Sequence, residues 1–153
     1  MRPKQIPFLA IVAFSFLMAF SSHDALSQCK TFVKNECLPK LAPYIHDGNY
    51  QAAIISEGEE AEVYKTIFAG QQYRLLIGLE KPLPSVEFVV TDIRRTILFD
   101  SRKNNNATFW DFKADASQQI KITIRIPKSQ KQGSGDQEIT FGCVGILFGL
   151  KDQ

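Results

Sequence analysis

"TFWDFKADASQQIKITIRIP", residues 108–127, packs an aromatic cluster and a strictly alternating isoleucine ladder into one short stretch. Ile120, Ile122, Ile124 and Ile126 take every second position, with Lys121, Thr123 and Arg125 between them. Successive side chains of a strand point to opposite faces. The stretch therefore has one dry face and one wet face, as a strand of an antiparallel sheet does. In "FWDF", Trp110 and Phe112 share a face, with Phe109 and Asp111 on the other. Trp110 and Phe112 read as core residues; the opposite phase would make Trp110 an exposed platform on which a sugar ring could stack.

The rest of the chain from residue 49 onward has the same character. "YQAAIIS" and "AEVYKTIFA" are strands enriched in β-branched and aromatic residues, separated by the acidic turn "EGEE". "YRLLIGLE" puts Tyr73, Leu75, Ile77 and Leu79 on one face, and "SVEFVVTDI" does the same with Val86, Phe88 and Val90. "TILFDS" follows, then the polar loop "RKNNNA" and the opening stretch. "KSQKQGSGDQ" is a second polar loop. The last strand, "EITFGCVGILFGLK", is apolar on both faces, which suits a central strand or one covered by a helix, its glycines marking bulges or close packing. About eight short strands with this much apolar surface need a second layer, so the fold expected is a two-sheet, jelly-roll-like β-sandwich.

Before the strands, Arg2 and Lys4 precede an apolar run from Ile6 to Phe20, too short to span a bilayer comfortably. Ala25 and Ser27 then supply the small residues of a signal-peptidase site, so residues 1–27 read as a leader cleaved before Gln28. The alternatives are cleavage before Cys29 as a lipoprotein, which the bulky Gln28 opposes, and an uncut membrane anchor. Residues 28–48 read as a short helix and a turn, and 49–153 as the sandwich. The expected location is periplasmic or secreted.

Cys29, Cys37 and Cys143 leave one thiol over if a single bridge forms in an oxidising compartment. Cys29, Phe32, Val33 and Cys37 follow helical spacing. Eight helical residues separate two Cα atoms by about 12 Å, beyond the roughly 7 Å that a disulfide tolerates. A helix here sends the bridge to Cys143, from Cys37 first and Cys29 as the alternative. Such a loop stabilises by up to about 4.7 kcal/mol in the chain-entropy account. An irregular segment would instead permit a bridge between Cys29 and Cys37.

Charge and motifs narrow the chemistry. Losing Arg2, Lys4 and Asp24 takes the 18 basic and 16 acidic side chains to 16 and 15, a balance that gives nucleic acid or an anionic membrane no electrostatic hold. No HExxH, GxSxG, Walker loop or CxxC pair occurs. The histidine beyond the leader, His46, lies in the turn-like "IHDGNY" and reads as an exposed turn residue. Glu57, Glu59, Glu60 and Glu62 read as a solvated turn. Asp100, Asn104, Asn105 and Asn106, with Asp111 nearby, form an oxygen-rich loop able to offer calcium some ligands, although no cofactor is required. Asn106, Ala107 and Thr108 make a glycosylation sequon. Asp100 and Asp111 are the pair to test for carboxylate-dependent hydrolysis.

The order of "VYKTIFAGQQYRLLIGLE", "VEFVVTDIRRTILFDS", "IKITIRIP" and "GCVGILFG" resembles the bacterial pre-peptidase C-terminal domains and the related GOLD-type sandwiches over residues 61–149. The resemblance lies in the strand pattern and transfers no binding residue. It implies a non-catalytic module of exported bacterial proteins. The function expected is therefore an exported binding or structural module with a protein or glycan partner, contacted through strand edges and the loops 102–107 and 128–137. A carbohydrate-binding module using Trp110, and a small hydrolase, are the alternative readings.

Overall fold

The computed structural model describes residues 24–129 and 139–151. Most of the expected leader and residues 130–137 of the second polar loop lie outside them. The described chain begins with α1 (Asp24–Phe32), which continues as a π-helical turn (Val33–Cys37) and a 3₁₀ turn (Leu38–Leu41). Pro39 lacks the N–H that a longer α-helix would use and sits in that last turn. Nine strands follow: β1 (Ile45–His46), β2 (Gln51–Ser56), β3 (Glu60–Ile67), β4 (Gln72–Leu79), β5 (Glu87–Thr91), β6 (Ile97–Asp100), β7 (Phe109–Lys113), β8 (Gln118–Arg125) and β9 (Phe141–Leu150). Eight match the strands expected from periodicity, and β1, two residues long, is added to them.

The strands form two antiparallel sheets. In the first, β1 and β2 pair with successive parts of β9, which pairs on its other side with β4, and β4 with β7; the second runs β3-β8-β5-β6. The pairs β2·β9, β3·β8, β4·β7 and β5·β6 nest within one another, so the chain is one long hairpin rolled into two layers, the topology of a jelly roll. The isoleucine ladder lies on the inner face of β8, with Ile120, Ile122, Ile124 and Ile126 each fully buried. Leu75, Ile77, Val144, Ile146 and Phe148 from the first sheet join them in one core with Phe88 and Val90.

The apolar outer face of β9 is covered by the helical segment. Four helical residues advance about 6 Å and two strand residues about 6.8 Å, so a helix laid along a strand meets every second residue with every fourth of its own. Here Cys29 meets Cys143, Val33 lies over Gly145, and Leu41 over Gly149. Gly78 on β4 is the Cα partner of Gly145. A β-carbon on Gly145 would meet Val33 Cγ2 at 2.7 Å, and one on Gly78 would collide with Cys37 Sγ. The glycines thus cut a trough in which the helix sits, and Val33, Cys37 and Leu41 bury themselves against Leu76 and Leu147.

This packing corrects the expected bridge. Cys29, not Cys37, pairs with Cys143, across a Cα separation of 5.3 Å. Cys37 lies two helical turns further on, above the glycines, and remains a buried free thiol. Burial pushes its pKa up to about 11.

Candidate binding face

One side of the sandwich gathers most of the residues singled out by sequence. β6 and β7 are the edge strands there, each paired on one side only, and residues 101–108 connect them. An aromatic ladder closes the gap between the sheets. Phe88 stacks on Phe99 at 5.2 Å, Phe99 on Trp110 at 5.2 Å, Trp110 on Phe112 at 3.9 Å, and Phe112 on Tyr73 at 5.4 Å. Trp110 is half-buried on the inner side and packs against the core, the phase favoured from sequence over the exposed one. Its ring is engaged by the neighbouring rings rather than presented as a platform. Outside the ladder Ile97 is 55%, Leu98 37% and Phe109 46% exposed.

Asp100 ends β6 and is buried. Its Oδ1 accepts the backbone N–H of Arg102 at 3.1 Å, capping the 3₁₀ turn Ser101–Lys103, and both carboxylate oxygens accept from the Arg102 guanidinium at 3.0 and 2.9 Å. The arginine hydrogen bond outweighs burial and holds the Asp100 carboxyl below its usual range. Ser101 Oγ accepts the Phe88 N–H at 2.9 Å. Asn104 donates its side-chain amide to the Asp100 carbonyl at 2.8 Å, and Asn105 and Asn106 take left-handed φ values of 55° and 52° to turn the chain into β7. The loop is thereby internally braced.

Asp111 belongs to a different arrangement, on the outer face of the first sheet. Arg74 donates to it through Nε at 2.7 Å and Nη2 at 2.6 Å, and through Nη1 to the Ala42 carbonyl at 2.8 Å. The guanidinium carbon lies 4.6 Å from the ring of Tyr44 and 4.9 Å from that of Phe109. The result is a flat plate of two aromatic rings clamping one arginine, held by a bidentate carboxylate. Burial raises the Tyr44 phenol, and the negative charge of Asp111 adds to it. Asp100 and Asp111 therefore stand on different sheets, each engaged by its own arginine, and do not converge on a cleft.

The four glutamates are likewise separated. Glu57 accepts from Ser129, Glu59 from the Ser56 N–H, Glu62 from Lys121 and Tyr64, and Glu60 pairs with Arg125 at 3.7 Å. Among the described residues no group of three or more His, Cys, Asp or Glu side chains is placed to share a metal ion. His46 corrects the sequence reading. It lies on β1 with 11% of its side chain exposed, its ring 4.4 Å from that of Tyr50 and Nδ1 accepting the Gly48 N–H at 3.3 Å. Its Nε2 is buried with no hydrogen-bond partner among the described residues and lies 3.8 Å from Asp47 Oδ1.

Pattern reading also missed a cleft of about 270 Å³ at the opposite open side, where Lys65 and Phe68 face Tyr73 and Leu150. Lys65 is turned inward over the Phe148 ring and donates to Asp47. No sequence signal pairs Lys65 with Asp47.

No family model and no curated protein matches the chain. Among solved structures, it is similar to Aeromonas hydrophila PliG, a periplasmic lysozyme inhibitor of g-type lysozyme, with a TM-score of 0.49 and 10% identity over 71% of this chain and 89% of that one. It is also similar to Salmonella Typhimurium PliG, likewise a periplasmic inhibitor of g-type lysozyme, with a TM-score of 0.40 and 10% identity over 67% of this chain and 86% of that one.

Proposed function

We propose that this chain is an exported, non-catalytic binding module of the periplasm or cell surface that engages a partner protein through its β6–β7 side. The observation that carries the reading is the Arg74 plate. Arginine and aromatic side chains supply much of the energy in protein interfaces, and here Tyr44, Arg74 and Phe109 are fixed before any partner arrives, which lowers the ordering cost of binding. Exposed Ile97 and Leu98 and the braced loop 101–108 extend this surface. Cleavage before Gln28 would keep Cys29, and hence its bridge to Cys143, in the exported chain.

A photoreactive amino acid placed at position 109 of the full chain, in the producing cell, tests the reading. A discrete cross-linked adduct should form from 109, vanish in Arg74→Ala, and be absent when the probe sits at Arg125 on the other sheet. No adduct from 109, or the same adduct from both positions, would refute it.

A further inference from the structure

The cleft of about 270 Å³ opens beside β3, at the other edge of the second sheet from β6. Tyr73 and Leu150, cross-strand partners on β4 and β9, form the wall contributed by the first sheet. Lys65 comes from β3, and Phe68, just past that strand, lines the cleft while remaining 60% exposed. Asp47, Thr66 and Gln71 complete the lining.

Two polar groups here keep hydrogen-bonding capacity that the fold leaves unused. Tyr73 is 3% exposed, and its hydroxyl oxygen accepts the Phe68 N–H at 3.0 Å. The hydroxyl proton has no acceptor among the described residues, although a buried tyrosine ordinarily finds one. The Lys65 ammonium carries three donors and gives one to Asp47. Asp47 is in the reverse position, with one oxygen accepting from Lys65 and the other from the Asn49 N–H at 2.9 Å.

Charge and donor count select the ligand. The charged side chains lining the cleft are Lys65 and Asp47, and they neutralise each other, so neither an anion nor a cation meets a net field. Unused donors outnumber unused acceptors, so the ligand has to accept. A sugar or other polyol would bring further donors, with only the Thr66 hydroxyl and the Gln71 amide left to receive them. The rings of Phe68 and Tyr73 and the Leu150 side chain call for an apolar body, as the walls of small-molecule sites commonly do. We propose that this cleft binds a small neutral molecule with an apolar body and a carbonyl group, whose oxygen accepts from Tyr73 and Lys65.

Amide NMR of the full chain tests this, with acetophenone, methyl benzoate and N-methylbenzamide as a ketone, an ester and an amide built on one ring. At least one of the three should move the amides of residues 65–73 and 150. Ethylbenzene, which has the shape of acetophenone without its oxygen, should bind roughly tenfold or more weakly than the tightest of them, about 1.4 kcal/mol. Benzoate, the matching anion, should also bind more weakly. Tyr73→Phe keeps the ring and removes the donor, so it should bring the tightest carbonyl probe down to the level of ethylbenzene. Phe68→Ala alters an exposed side chain, so it should melt as the wild type does while binding every probe more weakly, which separates lost binding from lost folding. The proposal is overturned if no carbonyl probe moves those amides, if ethylbenzene or benzoate binds as tightly as the best of them, or if both variants bind as the wild type does.

Discussion

The sulfur of Cys37 occupies the space in which a side chain on Gly78 would begin, so the helical segment and β4 touch with no atom to spare. Gly78→Ala must push the helix out of its trough. Overpacking of this kind costs roughly 1–3 kcal/mol. Cys37→Ala removes the colliding atom, so adding it to Gly78→Ala should recover at least half of the loss. Urea denaturation of both single variants and the double variant measures the coupling. Additive losses would show that Cys37 does not set the contact.

The same sulfur makes the fold sensitive to alkali. The Cys37 pKa rises from 9.0 to about 11, principally by desolvation. Between those values the folded state holds a proton that the unfolded chain releases. Stability from this group is therefore complete below pH 9 and declines as pH climbs toward 11, by up to about 1.4 kcal/mol per pH unit. Melting temperatures across this interval should fall more steeply in the wild type than in Cys37→Ala, and parallel curves would contradict the assignment.

These two predictions rest on contacts that were only half legible in the sequence. The glycines of β9 signalled close packing, and the doubly apolar strand signalled a cover. Which helical residue lies over which glycine depends on a helix and a strand more than a hundred residues apart, and that register leaves no local trace. The isoleucine ladder, by contrast, needed no partner to be read, because alternation alone assigns Ile120 to Ile126 to one face. β1 was invisible since two residues carry no period, and His46 was misread because the turn formers after it masked the burial created by Tyr50. Within the candidate site, the loop residues were legible and their roles were not. Asp100 and Asp111 look like available carboxylates until Arg102 and Arg74 are placed beside them.

The bridge from Cys29 to Cys143 joins positions 114 residues apart, so it restricts nearly the whole unfolded chain. Chain entropy assigns such a closure up to about 4.8 kcal/mol. Because it pins only α1 to β9, a Cys29→Ala, Cys143→Ala variant should keep the sandwich while losing stability and loosening the helix. Hydrogen exchange should accelerate in residues 29–41 far more than in β8. Uniform acceleration would mean that the helix and the sandwich open together.

On β3 the inward positions are Ala61, Val63, Lys65 and Ile67, so an ammonium stands where an apolar residue would continue the pattern. An inward charge on an edge strand discourages pairing with another chain, and here it also neutralises Asp47, whose side chain is 9% exposed. Burial alone would raise the Asp47 carboxyl, but the Lys65 hydrogen bond, the Asn49 N–H and the neighbouring positive charge together hold it below its usual range. In the wild type this contribution is present above pH 3.8 and lost as pH falls through the lower folded value. Lys65→Met leaves burial in command, so the Asp47 pKa should rise and the protein should lose about 1–3 kcal/mol at neutral pH. The deficit relative to wild type should shrink on acidification as Asp47 takes up a proton, and adding Asp47→Asn should remove its pH dependence. Denaturation of the three proteins at neutral pH and near pH 4 checks this, and a deficit independent of pH in Lys65→Met would show that Lys65 acts through packing on Phe148 rather than through charge.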